Sequence, residues 1–124
     1  AQKSAYGEWN LPLGHLDEGE DILTGAKRES EEESGLKLKV DGFIGIYQHI
    51  KSDEATAVGI IFKASVKSGK IKFPKEELLD AKWVTFKDFL KMPNKDLRVD
   101  FLKKVVQDYQ KRGALPLDYV KSCK

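Results

Sequence analysis

The sequence predicts an α/β fold, and three segments of the 124-residue chain carry that prediction. Residues 22–34 lie between Asp21, a good N-cap residue, and Gly35, which stands where a glycine commonly ends a helix. Residues 56–66 are the strongest candidate for a buried strand, because β-branched and aromatic residues are dense there. Residues 100–112 repeat apolar residues at helical spacing. Helices and strands that alternate in this way indicate a mixed α and β architecture.

The remaining elements of the first half surround these segments. Residues 7–13 are predicted to be extended chain that leads into a loop at Gly14. Residues 36–48 predict a strand that is interrupted by two glycines, and residues 51–54 predict a polar turn.

In the second half, residues 67–70 predict a hairpin turn into a short strand at residues 71–73. A further strand is expected around Trp83, and residues 87–90 are expected to form a short helix before the longer C-terminal one.

The composition indicates one globular domain over residues 1–124. The chain is 40% apolar and 34% charged, as in soluble proteins. No apolar run approaches the ~20 residues of a membrane-spanning helix, and no signal peptide is visible. Cys123 is the only cysteine, so no internal disulfide can form and a cytoplasmic location is expected.

Charge is distributed unevenly along the chain. The net charge is +2, but residues 17–33 hold eight acidic and two basic residues, so the remainder carries a net +8. The scattered lysines either attract a polyphosphate or simply solubilise the surface. No stripe of basic and aromatic residues indicates a nucleic-acid surface.

Glutamates are crowded at the end of the first predicted helix. At ~100° per residue, one face carries small or apolar residues followed by acidic ones: Ile22, Gly25, Ala26, Glu29, Glu32 and Glu33. Glu31 points away from this face and is expected to face solvent. Like charges at this spacing repel each other, and burying them unpaired costs much free energy. A hard divalent cation relieves the repulsion, because it prefers carboxylate oxygens.

A solvated acidic helix is the alternative, since most runs of charge are solvated. A longer pattern favours the metal site: Gly14, five residues, Glu20, seven residues, then Arg28-Glu29-Ser30-Glu31-Glu32-Glu33-Ser34-Gly35-Leu36. This segment resembles the Nudix box, GX5EX7REUXEEXGU, where U is a bulky aliphatic residue. The preceding residues Trp9-Asn10-Leu11-Pro12-Leu13-Gly14 resemble the W-x-L-P-G-G lead-in of that family. The resemblance implies a Nudix-like α/β/α sandwich with a mixed sheet.

Three features depart from the family pattern. Ser30 stands at the first U position, where an aliphatic residue normally packs the helix on the sheet. Leu13 replaces the first glycine of the usual pair. Only eight residues precede Trp9, where family members have a strand and a hairpin. The alternatives there are a trimmed or internally started chain, or a missing strand that is supplied in another way.

By resemblance, the chain is expected to hydrolyse the pyrophosphate bond of a nucleoside diphosphate linked to another group X, with Mg²⁺ or Mn²⁺ as cofactor. Glu29, Glu32 and Glu33 are expected to bind the metal, together with the backbone carbonyl of Leu13. Arg28 is expected to orient the carboxylates through charge-assisted hydrogen bonds.

Several roles stay open at this stage. Glu20 is a candidate partner of Arg28 or an outer metal ligand. Glu76 is slightly favoured over Glu77 as the catalytic base, the alternative being a surface helix-cap carboxylate. A non-catalytic Nudix-like module that binds a nucleotide or a partner protein is the competing function. A homodimer is among the assemblies that the resemblance allows. The substrate is open among oxidised nucleoside triphosphates, ADP-ribose-type compounds, dinucleoside polyphosphates and pterin triphosphates.

Overall fold

The computed structural model describes residues 2–4, 9–10, 16–50, 57–73, 75, 78–96 and 101–123, with the backbone alone at 2–4, 9–10, 57 and 78–80. The strands and α-helices are β1 (Gln2–Ser4), β2 (Trp9–Asn10), α1 (Ile22–Ser34), β3 (Lys37–His49), β4 (Ala57–Ser68), β5 (Leu78–Ala81), α2 (Phe86–Lys91) and α3 (Leu102–Arg112). Two short 3₁₀ helices follow α2 and α3, at Asn94–Asp96 and Leu117–Tyr119. The predicted loop at Gly14 and the polar turn at 51–54 lie outside the described residues.

The strands form two antiparallel sheets. β1 lies between β2 and β5 in one of them, and β3 pairs with β4 in a long two-stranded ribbon. The register of the ribbon shifts between Val40 and Gly42 and again between Phe43 and Gly45, at the two glycines that interrupt the predicted strand. Every pair among the described strands is antiparallel. The mixed sheet that the resemblance implies would also need a parallel pair, so it stays a prediction.

One predicted strand is wrong, and a second lies earlier in the chain than predicted. Residues 71–73 are not in a strand, because the chain turns at Gly69 with a φ of 99° and crosses the end of α1. There the amide of Lys72 donates to the carbonyl of Ser34 at 2.7 Å, so it binds the helix end instead of a neighbouring strand. The strand expected around Trp83 is β5, which ends at Ala81, and Trp83 lies in the segment that leads to α2.

The ends of α1 agree with the sequence. The Asp21 side chain accepts a hydrogen bond from the Thr24 amide at 2.8 Å, and Gly35 has a left-handed φ of 76°. A Cβ on Gly35 would lie 2.6 Å from the Lys72 carbonyl, so both backbone conformation and close approach require glycine here. The helix boundaries predicted from Asp21 and Gly35 are therefore confirmed.

The main core lies between one end of the ribbon and the two C-terminal helices. Its buried members are Ile61, Phe89, Phe101, Leu102, Val105 and Val106. Tyr47 of β3 stacks on Phe101 with ring centroids 5.7 Å apart, and its hydroxyl donates to Asp108 of α3 at 2.9 Å. α1 contacts the other end of the ribbon, so the acidic helix and the main core are at opposite ends of β3. Within the described residues, no helix is both long and apolar enough to cross a membrane.

Leu102→Ala is expected to lower the free energy of unfolding by about 2–5 kcal/mol, because it leaves a cavity at a fully buried side chain (0% exposed). Urea unfolding followed by circular dichroism measures the change. Ile50→Ala is the matched control: Ile50 is 70% exposed, so a change of only about 0.5 kcal/mol is expected. Equal losses in the two variants would contradict this placement of the core.

Candidate active site

Arg28 is the centre of the site, because its guanidinium binds three carboxylates. It makes a bidentate pair with Glu20, from Nε to Oε2 at 2.7 Å and from Nη2 to Oε1 at 2.9 Å. Its Nη1 donates to Oε1 of Glu29 at 2.8 Å and to Oε2 of Glu32 at 3.1 Å. The predicted contact between Glu20 and Arg28 is confirmed, and so are the predicted hydrogen bonds from Arg28 to box carboxylates.

A tight turn before α1 places Glu20 against the helix. The Glu20 amide donates to the Asp17 carbonyl at 3.1 Å, and the Asp17 amide donates back to Oε1 of Glu20, also at 3.1 Å. Gly25 lets this turn approach, since a Cβ there would meet the Leu16 side chain and would lie 2.9 Å from Oε1 of Glu20. A side chain at this position would displace the ends of the Leu16 and Glu20 side chains, so the glycine on the predicted helix face favours the observed geometry of the ion pair.

Sequence reasoning missed Asp17. Its carboxylate lies 3.5 Å from Nε of Arg28, which gives the guanidinium a fourth acidic neighbour. The sequence does show a high density of acidic residues just before Glu20, but this density indicates only net charge and not which residue contacts Arg28.

The charges in the cluster stabilise one another. Hydrogen bonds from Arg28, and then the one from the Asp17 amide, hold the pKa of Glu20 below its usual value. Glu20 and Glu29 in turn raise the pKa of Arg28 above its usual value. Both partners of the bidentate pair therefore stay ionised near neutral pH.

The exposure of the box glutamates differs from the helical projection in two places. Glu32, which was expected to point inward, has a 60% exposed side chain, whereas Glu29 is 22% exposed. Glu31, which was expected to face solvent, is half-buried and accepts a hydrogen bond from the Leu38 amide at 2.8 Å. The reason is that the last turn of α1 contacts β3 through Glu31, so the inward-facing stripe there includes Glu31, which the projection excluded, and leaves out Glu32.

Two grooves border the box glutamates. One, of about 450 Å³, is lined by Arg28, Glu32, Lys27 and Lys37, among others. The other, of about 210 Å³, lies between α1 and the ribbon and reaches the half-buried Glu33. Among the described side chains, no three acidic, histidine or cysteine residues already converge on one metal position. Glu33 lines this second groove, whereas Arg28 and Glu32 line the first.

The other predicted site residues fall outside the part of the chain that the structure describes. These are Leu13, whose carbonyl is the predicted metal ligand, and the candidate bases Glu76 and Glu77. Their roles stay predictions.

A comparison with known proteins assigns the family. The sequence profile of the NUDIX domain matches residues 1–109. The chain belongs to the NUDIX family. It is a Nudix hydrolase, an enzyme that acts on phosphorus-containing anhydrides.

Similar proteins agree with this assignment. The chain is 28% identical over 113 residues to "Phosphatase NudJ" of Shigella boydii serotype 4, covering 90% of this chain and 72% of that protein. It is 34% identical over 90 residues to "Nudix hydrolase 7" of Arabidopsis thaliana, covering 68% of this chain but 31% of that longer protein. A solved structure of a NUDIX hydrolase from Nitrosomonas europaea superimposes with a TM-score of 0.82 at 26% identity, over 94% of this chain and 79% of that one. The predicted Nudix-like α/β fold is confirmed.

Acid is expected to weaken the Glu20–Arg28 pair. The pKa of Glu20 is lower in the folded than in the unfolded chain, so the pair contributes stability above the ordinary value of 4.5 and loses it as pH falls through the lowered value. Urea unfolding of wild type and Glu20→Gln should give a stability difference that is constant near neutral pH and shrinks below about pH 4.5.

Glu18→Gln is the control, because Glu18 is an exposed glutamate in the same turn and is not among the described ion-pair partners of Arg28. Its stability difference from wild type is expected to stay small throughout. If the difference for Glu20→Gln stays constant down to about pH 3, the pairing contributes nothing to stability.

Proposed function

We propose that this Nudix hydrolase uses Mg²⁺ or Mn²⁺ to cleave the pyrophosphate bond of a nucleoside diphosphate linked to another group X. The observation that carries the proposal is the shared hydrogen bonding of Glu29 and Glu32 to one nitrogen of Arg28, at 2.8 and 3.1 Å. The similar proteins are named as a phosphatase and as Nudix hydrolases, which supports hydrolysis of a phosphate compound.

The residues present have the donor chemistry for such an ion. Carboxylate oxygens are the ligands that hard divalent cations prefer. Arg28 uses one oxygen each of Glu29 and Glu32, and it keeps these two like charges close together. Glu33 stands four residues after Glu29, at helical neighbour spacing. These three glutamates would hold the metal, and the Leu13 carbonyl is the further ligand that we propose. When bound, the ion neutralises phosphate oxygens and lowers the pKa of the attacking water.

The chain's own charges suit a polyphosphate. Lys27 and Lys37 line the groove that also contains Arg28 and Glu32, so ammonium groups stand near the proposed reaction centre. They would attract and orient a substrate with several negative charges. Glu76 is our proposed general base, which would take a proton from the attacking water. Water adds across the P–O–P bridge, giving a nucleoside monophosphate and the phosphate ester of X.

Glu32→Gln and Glu33→Gln are each expected to lower kcat/KM at least about a hundredfold, since removing a charged metal ligand should cost no less than disturbing its supporting shell. The assay is turnover of nucleoside diphosphate derivatives with and without Mg²⁺, in ¹⁸O-labelled water, with products identified by mass. Glu18→Gln, an exposed glutamate outside both grooves, is the control and should keep wild-type activity.

Full activity in both variants would show that the metal assignment is wrong. Wild-type protein that binds nucleotides in calorimetry but releases no product would instead support the alternative, a nucleotide-binding module.

A further inference from the structure

The 210 Å³ groove beside Glu33 differs from the rest of the candidate active site because its floor is hydrocarbon. Leu36, Leu38, Val66 and Ile71 form this floor, and we call the space the apolar groove. Leu36 and Leu38 are buried, whereas Val66 is 44% exposed, so the groove is open on the β4 side. The polar side chains among its described lining residues are Ser30, Glu33 and Ser34 of α1, and Lys82, which follows β5. A ligand in the apolar groove would therefore touch the proposed metal site.

Ser30 explains why this space is not filled. Ser30 lines the apolar groove from α1, at a half-buried position that faces the ribbon. Two hydrogen bonds hold α1 at its distance from the following chain: Glu31 accepts from the Leu38 amide, and the Ser34 carbonyl accepts from the Lys72 amide at 2.7 Å. A serine side chain has two heavy atoms fewer than a leucine side chain, so Ser30 fills less of this space than a leucine would. A space remains that a leucine would occupy.

The size and lining of the apolar groove limit what it can hold. Its 210 Å³ is below the ~300–1,000 Å³ of sites that enclose whole drug-sized ligands, so it suits one ring or one branched alkyl group. A nucleobase would place its ring nitrogens and carbonyls against leucine and valine, and such unpaired polar groups are costly to bury. Trp83 lines the groove and is 67% exposed, so its indole offers a ring face to a planar group.

We propose that the apolar groove binds the X group of the substrate, and that X is an aromatic or compact apolar group. The pyrophosphate would then lie at the box glutamates, with Glu33 belonging to both subsites. This inference rests on the proposed function, and it narrows the substrate class from any nucleoside diphosphate derivative to those with an apolar X.

The test compares two substrates that differ only in X, the β-phenyl ester and the β-methyl ester of ADP, with Mg²⁺ present. Hydrolysis of each gives AMP and phenyl phosphate or methyl phosphate. Ser30→Leu fills the apolar groove, so kcat/KM for the phenyl ester should fall about tenfold or more while the methyl ester is unaffected. Ser122→Leu adds the same side chain at an exposed position outside the groove and should change neither value.

Trp83→Ala provides a second variant in case Ser30→Leu folds poorly. Loss of the indole should reduce the preference for phenyl over methyl about two- to tenfold. Because Trp83 is largely exposed, urea unfolding should show little loss of stability in this variant.

The outcomes separate this inference from the proposed function. The inference is wrong, and the proposed hydrolysis stands, if Ser30→Leu lowers kcat/KM for both esters equally or for neither. The inference is also wrong if the effect of Ser30→Leu depends on replacing adenine by uracil in the substrate and not on replacing phenyl by methyl. If wild-type protein hydrolyses neither ester nor any nucleoside diphosphate derivative of the earlier assay, the proposed function is wrong. Calorimetric affinities of the two esters then decide the inference: tighter phenyl binding that Ser30→Leu removes supports it, and equal affinities overturn it.

Discussion

The charge balance around Arg28 is the constraint on which the rest of the site depends. Glu20, Glu29 and Glu32 all bind one guanidinium, and Asp17 lies 3.5 Å from it. Without that cation the carboxylates would repel one another at close range, and neither the turn before α1 nor the end of the helix would keep its present position. The same interactions lower the pKa of Glu20 and raise the pKa of Arg28, so both members of the bidentate pair stay charged near neutral pH.

The fold supports this cluster through a few close contacts. Gly25 admits the turn that carries Glu20, and Gly35 admits the chain at Lys72. Glu31 ties α1 to β3 through the Leu38 amide, so a glutamate of the acidic run serves as a structural acceptor. At the far end of β3, the contact between Tyr47 and Asp108 joins the ribbon to α3 and the main core. The main core and the candidate active site therefore lie at different ends of one long strand.

Glu33 lies where the candidate active site meets the apolar groove. Its neighbours Glu29 and Glu32 belong to the Arg28 cluster, whereas Glu33 borders the apolar groove. This Nudix hydrolase therefore has a charged surface next to a small hydrocarbon surface. In our proposals the charged part determines the reaction and the apolar part selects among substrates. Ser30 belongs to the apolar part: it lines the apolar groove, and it is not one of the described residues that bind Arg28.

The sequence by itself determined the family and the boundaries of α1, and it gave Arg28 as one of two alternatives for the partner of Glu20, the other being a metal ion. These depend on local spacing: a cap at Asp21, a left-handed glycine at Gly35 and acidic residues within reach of one arginine. Only the tertiary structure decided which stripe of α1 faces the sheet, since periodicity orders the side chains around a helix without orienting the helix on its neighbours. Three features follow from that orientation, because each depends on contacts between segments that are distant in the chain. They are the exchanged exposures of Glu31 and Glu32, the irregular chain at 71–73 and the groove beside Ser30.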